Sequence, residues 1–194
     1  SMYKKTFLNI RELALLRHKG NTDSMTERQR YELLKEIKAP NGTRFEIRRY
    51  LPCAMADVTV SGDSGSAANL GFRPLVTYIS QNQIAMTAPV LQEQVTNGSW
   101  TVSFVMPADM GADDLPLPAD TKVRIRQVSE QIAAALSFRG YTSNEVIIKR
   151  EEELRAALNE TKIAMTGAMR VARFDPPWKP GFARHNEVII PVDY

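Results

Sequence analysis

Cysteine is almost missing from the 194 residues. Cys53 stands alone, so no intrachain disulfide can form, and zinc ribbons and iron–sulfur clusters held by four thiolates are excluded. Histidine is nearly as scarce: His18 and His185 are too few for a multi-histidine metal centre. No apolar run approaches the ~18 residues of a membrane span, because Pro, Gly, Gln or Asn interrupts each uncharged stretch. Gly-x-Ser-x-Gly, the P-loop and the dinucleotide glycine fingerprint are all lacking. The net charge is only +3, and residues 1–40 account for it, with nine Lys/Arg against five acids. The remaining chain is electrostatically neutral, poor equipment for gripping a phosphate backbone, so no nucleic-acid partner is expected. A basic N-terminal extension over residues 1–29 reads as a solvated arm, with contact to an acidic protein or a lipid surface as the alternative. The Ser1–Met2 start resembles a cloning scar and leaves open a targeting segment upstream; a cytoplasmic location is the default expectation.

What is present is the composition of a globular chain, 43% hydrophobic and 24% charged, of a size for one large domain or two small ones sharing a core. Its most informative feature is self-similarity. Ile84-Ala85-Met86-Thr87 recurs as Ile163-Ala164-Met165-Thr166. Phe45–Gly62 aligns without gaps on Val123–Gly140, pairing Ile47 with Ile125, Arg48 with Arg126, Ala56 with Ala134, and Gly62 with Gly140. Leu75 and Ile79 fall opposite Leu154 and Leu158. Two copies of one unit follow, about 45–107 and about 123–192.

Each copy opens on alternating, β-branched residues that read as strand. A glycine ends the run and a helix follows. For the second helix, Thr142 and Glu145 offer a capping box and Glu151–Leu158 is built from strong helix formers. The first spans roughly 70–80, with Pro74 confined to its first turn. Another strand pair closes each unit. Tyr31–Ile37 is expected to form a hairpin with Phe45–Arg49 across the Pro40-Asn41-Gly42 turn. The expected fold is α+β: duplicated β-α-β-β units, related by a pseudo-twofold axis, forming a distorted eight-stranded antiparallel β-barrel flanked by two helices. Residues 30–194 make one domain on this reading.

Catalytic constellations are scarce. Gly62–Ser66 reads as a surface loop, and Cys53 in its strand-like run reads as a small buried hydrophobe more readily than as a nucleophile. Glu151-Glu152-Glu153 reads as a solvated helix face. The two helices are unequal: Phe72, Leu75, Val76, Tyr78 and Ile79 give the first more apolar surface than one core-facing stripe needs, which points to a further partner.

Several segments carry a family resemblance. Phe45-Glu46-Ile47-Arg48-Arg49-Tyr50-Leu51-Pro52, Gly71-Phe72-Arg73-Pro74-Leu75, Ile84–Val90, Trp100–Pro107, Phe174-Asp175-Pro176-Pro177-Trp178 and Arg184-His185-Asn186-Glu187-Val188 resemble, in order, the motifs of the SOUL/haem-binding protein family. The resemblance implies a non-catalytic protein that binds haem or another tetrapyrrole in a shallow apolar groove along the first helix, for transport or buffering. Carried over by position, that groove uses Arg73, Leu75, Tyr78, Ile79 and Met86, while Arg184 and His185 match a basic pair near the C-terminus. Lys38–Thr43 holds no histidine, so His185 is the candidate axial ligand within the matched region. Without a strong ligand, haem is held by apolar and propionate contacts. The alternative reading is a small-molecule-processing enzyme or an effector-binding domain of the gyrase-inhibitor-like type, marked by a buried Glu or Tyr inside the barrel with a raised pKa.

Overall fold

A two-residue period makes residues 44–50 a strand: Phe45 and Ile47 point one way, Glu46 and Arg48 the other. The same period recurs along the chain, and the computed structural model, which describes residues 26–176 and 178–194, turns it into one large curled sheet beside a two-stranded one. The elements are β1 (Glu27–Arg28), β2 (Tyr31–Lys38), β3 (Arg44–Tyr50), β4 (Cys53–Ser61), α1 (Ser64–Gln81), β5 (Thr87–Ala88), β6 (Val90–Thr96) and β7 (Ser99–Val105). After the connector come β8 (Arg124–Val128), β9 (Gln131–Arg139), α2 (Asn144–Glu160), β10 (Ala164–Met165), β11 (Arg170–Arg173) and β12 (His185–Asp193). Of the expected extension over 1–29, residues 1–25, with His18, lie outside the described residues. No helix among the described residues is long and apolar enough to cross a membrane.

Nine strands follow one antiparallel path, β2-β3-β9-β12-β11-β6-β7-β4-β8, with β10 beside β12. When β3, β4, β6 and β7 are exchanged with β8, β9, β11 and β12, the order from β3 to β8 reads the same from either end. The registers follow the same exchange: Ile47 lies opposite Ala134, and their counterparts Ile125 and Ala56 lie opposite each other. The expected α+β fold with antiparallel strands and two helices is therefore present. The path has two ends, β2 and β8, so the sheet is a half-barrel. The added ninth strand is β2, held to β3 by the anticipated turn, where Gly42 has φ 89° and Asn41 Oδ1 accepts the Thr43 N–H.

Both helices pack on the outer face of the curl. Leu75, Tyr78 and Ile79 of α1 meet Ala54, Ala56, Val58, Val102 and Phe104. Leu154 and Leu158 of α2 meet Ile47, Ala134, Leu136, Val188 and Ile190. Each fully buried leucine contributes roughly 1.5–3 kcal/mol relative to exposure. The residues between them along the strands, Tyr50, Met55, Leu91, Ala133, Ala135, Ala172 and Ile189, line the inner face.

The repeated Ile-Ala-Met-Thr block has a local explanation. Gln83 and Lys162, one residue past the two helix caps, both adopt φ 56°. The next residue then closes each helix: Ile84 N–H donates to Ile79 C=O and Ile163 N–H to Leu158 C=O. This is the six-to-one bond of a Schellman ending, in which an apolar residue after the left-handed position seals the helix end.

Three local expectations need correction. Gly62–Ser66 is not a loop throughout, because Asp63 caps α1 by accepting the Ser66 N–H and the helix begins at Ser64. Pro74 consequently sits mid-helix, and the buried contacts of Gly71, Leu75, Tyr78 and Ile79 hold α1 together across it. At α2 the cap is Ser143, accepting from the Val146 N–H, and not Thr142. Short polar residues favour caps wherever the chain turns inward, and tertiary packing selects which of two neighbours serves.

Gly71 marks the closest approach of α1 to the sheet: a Cβ there would lie 2.5 Å from the Val102 side chain. Gly71→Ala gains helix propensity of about 1 kcal/mol but forces α1 off β7, so a net loss of about 1–3 kcal/mol is expected. Urea unfolding monitored by circular dichroism measures it, and unchanged stability would show that α1 is not pinned at this point.

Candidate functional site

On an alternating strand the polar positions normally face water. Curling the sheet encloses them instead. Glu46, Arg48 and Tyr50 of β3, Ser137 of β9, and His185, Glu187 and Ile189 of β12 converge on the concave face around a cavity of about 250 Å3. Arg28, Gln29, Tyr31, Pro89 and Phe174 complete its lining. The parallel pairing of β1 with β5, and the Gln29 N–H donated to Ala88 C=O at 2.8 Å, hold its covering segment in place.

At its centre is a buried ion pair. Arg48 is 3% exposed and Glu187 2%, so neither charge can be left to solvent. Arg48 donates to both Glu187 oxygens at 2.8 and 2.7 Å, a two-pronged geometry that suits a planar guanidinium. It also donates to Glu46 Oε2 at 2.6 Å and to the Tyr50 hydroxyl at 2.9 Å, and the Tyr31 ring stacks on its Cζ at 4.2 Å. Ser137 adds an O–H to Glu187 at 2.9 Å. Burial works against the Arg48 charge, but its bond to Glu187 and its pairing with Tyr50 outweigh that and hold it above the ordinary value. Burial pushes the Tyr50 phenol up, against the pull of Arg48. Burial pushes the His185 imidazole down, against the attraction of Glu187. Its ring lies 4.8 Å from that of Phe174.

The sequence-predicted site residues divide between the two faces. Leu75 (0% exposed), Tyr78 (3%) and Ile79 (5%) are enclosed between α1 and the sheet, and Tyr78 donates its hydroxyl to Pro116 C=O in the connector. Arg73 is exposed on α1, and Met86 is half-buried at the rim of the same core. Arg184 donates Nε–H to Lys179 C=O near the end of β11. His185 belongs to the concave cavity, on the side of the sheet away from α1. The cavity's own polar set was not anticipated as a site. Its signal is the repeat alignment, in which Arg48 coincides with Arg126 two positions from Tyr50. Cys53, whose thiol burial pushes up, is not poised as a nucleophile.

Comparison with known proteins matches residues 26–191 to the family model described as SOUL heme-binding protein. No curated protein matches the sequence. Among solved structures, the EcmrR C-terminal domain superposes with a TM-score of 0.63 at 12% identity, covering 77% of this chain and 96% of that one. EcmrR in its complex with DNA gives 0.61 at 13% identity, covering 98% of this chain and 66% of that one. A hydrolase from Listeria innocua gives 0.52 at 13% identity, covering 87% and 94%. At such identities the likeness concerns the fold.

Removing one member of the Arg48–Glu187 pair strands the other charge in the interior. Glu187→Ala is expected to cost about 3–5 kcal/mol, and the double replacement Arg48→Met with Glu187→Leu much less than the two single changes together. A double-mutant cycle by urea unfolding tests this; additive losses would mean the charges are not coupled. His185 gives a pH signature. Its folded pKa lies below that of the unfolded chain, so the unfolded state binds the extra proton and stability is lost as pH falls below about 6.5. Asp175, also lowered, acts in the same direction but only below the ordinary carboxylate range. His185→Asn should therefore flatten the stability profile between about pH 7 and pH 5. Melting temperatures across that range decide it, and an unaltered slope would assign the effect to other groups.

Proposed function

Since the chain belongs to the SOUL heme-binding protein family, we propose that it binds haem or a related tetrapyrrole without catalysing a reaction on it, as a carrier or buffer. The family match over residues 26–191 carries this reading. The binding surface we infer is the flank of α1, where Phe72, Val76 and Met86 are half-buried at the edge of the core and Arg73 is exposed beside them. A porphyrin offers a broad apolar face, whose burial is worth ~25 cal/mol per Å2, and two carboxylates that suit arginine.

Cations also lie near the start of α1. Gln92 donates to Ser64 C=O at 2.6 Å and accepts from Arg173 at 3.0 Å. Among the described residues no carboxylate lies within ion-pair distance of Arg173, and burial together with the nearby Arg184 charge lowers its pKa to about 10. An anionic propionate would relieve both effects. Leu75, Tyr78 and Ile79 support the flank from beneath. When bound, haem brings its own iron chemistry, and His185, facing the concave side, does not ligate it in this arrangement. Retention then rests on apolar and propionate contacts, which permit exchange.

A second reading, an enzyme or effector-binding domain of the gyrase-inhibitor-like type, is favoured by one observation. Tyr50, a buried phenol with a raised pKa, stands beside the Arg48–Glu187 pair within the concave cavity. The readings differ in the face of the sheet that a ligand covers.

Haemin titration followed at the Soret band should be saturable. Arg73→Glu and Arg184→Glu should each weaken it about tenfold, the loss of roughly one charge-assisted contact. Wild-type affinity in both variants would place the tetrapyrrole elsewhere on the protein.

A further inference from the structure

The concave cavity differs from the α1 flank in size, charge and unused hydrogen-bonding capacity. At about 250 Å3 it lies below the roughly 300–1,000 Å3 of sites for drug-sized ligands, a size that suits a guest smaller than a tetrapyrrole. Its walls are suited to a flat molecule, with the rings of Tyr31, Tyr50, Phe174 and His185 all lining it.

The formal charges at this surface balance. Arg28 and Arg48 face Glu46 and Glu187, and Arg48 is already bonded to both acids. Arg28 lies over the Phe174 ring at 5.1 Å. Arg170 is stacked behind the Tyr50 ring at 5.2 Å and donates to Gln131, outside the lining. A charged guest would have to compete with partners already in place.

Two hydrogen-bonding positions remain. Gln29 is 9% exposed and its side-chain Oε1 is buried with no hydrogen-bond partner. A buried acceptor left unpaired is disfavoured, and a donor from a ligand removes that penalty. The Gln29 backbone is fixed to Ala88, which anchors this side chain at the cavity wall. The Tyr50 oxygen accepts from Arg48, which leaves its own proton to donate.

We propose that the concave cavity is a second small-molecule site, for an uncharged planar ligand carrying a hydrogen-bond donor beside an acceptor, such as an aromatic or heteroaromatic amide. The donor meets Gln29 Oε1, the acceptor meets the Tyr50 hydroxyl, and the ring lies among the aromatic walls. The proposal uses the cavity of the second reading but requires no reaction, and it does not depend on tetrapyrrole binding.

The test uses the full chain and three probes of nearly one shape: benzamide, benzamidinium and benzoate. Benzamide should give saturable NMR shifts at the Gln29 side-chain amide and at Ser137 and Ile189. Benzamidinium and benzoate should bind at least tenfold more weakly. Gln29→Leu should weaken benzamide about tenfold while leaving the haemin titration unchanged, and Arg73→Glu should leave benzamide binding unchanged. If Gln29→Leu does not fold, Tyr50→Phe carries the same decision from the donor side. Equal binding of the charged probes, shifts clustered away from the cavity, no saturable shift, or wild-type affinity in the folded variant would each overturn the proposal. Loss of haemin binding with benzamide binding intact would count against the tetrapyrrole reading alone.

Discussion

The Arg48–Glu187 pair bridges strands that are not adjacent. Arg48 is on β3 and Glu187 on β12, and β9 runs between them. Such a span is possible only if the intervening strand presents little bulk. Ala133 and Ala135 of β9 face the concave side, and the third inward residue, Ser137, is small enough to bond Glu187 and not to displace it. A larger residue at Ala135 would push the two charges apart or flatten the curl. The pair therefore ties the local curvature of the sheet to the placement of every polar group in the cavity. Its net contribution to stability is expected to be modest, because desolvation offsets attraction; the geometry it imposes matters more.

The pair also breaks a symmetry that the backbone keeps. Strand order and register are the same in both halves, yet the two equivalent arginines find different partners. Arg126 pairs with Asp57 on the neighbouring strand and keeps much of its side chain in solvent. Arg48 reaches across β9 into a buried site. Tyr50 and Tyr31 enclose it, whereas Val128 occupies the position equivalent to Tyr50. One skeleton used twice thus yields one enclosed polar cavity, and the difference arises from a few inward-facing side chains.

Those side chains explain how far the sequence could be read. Strand periodicity, the Asn41-Gly42 turn, and Leu154 with Leu158 depend on local patterns, and each appears where the pattern placed it. Helix α1 was recognisable in its apolar second half. Its first half, Ser64-Gly65-Ser66, is built from weak helix formers and is helical because Asp63 caps it and Gly71 lets it rest on Val102. The connector covers part of the apolar surplus on α1: Met110 and Leu115 pack there, and Pro116 accepts from Tyr78. The concave site was illegible for a different reason. Alternation shows that Glu46, Arg48 and Tyr50 share a face, but only the curvature of the whole sheet decides whether that face meets water or a closed cavity.

Curvature also makes the two faces unlike as surfaces for a ligand. On the concave side, β3, β9 and β12 converge on a space bordered by Gln29, Pro89 and Phe174. The Arg48–Glu187 bonds cross this space and fix two of its walls. The convex side carries no such constraint, since the flank of α1 borders solvent and a planar guest of any breadth can lie against it. On the two proposals made above, a tetrapyrrole lies on the outer surface and a small uncharged molecule on the inner one. Because the sheet stands between them, occupancy of one should not sterically exclude the other; the strands that link the two sides are β4 and β7, where Ala54, Ala56 and Phe104 face the α1 core and Met55 and Val105 the concave core.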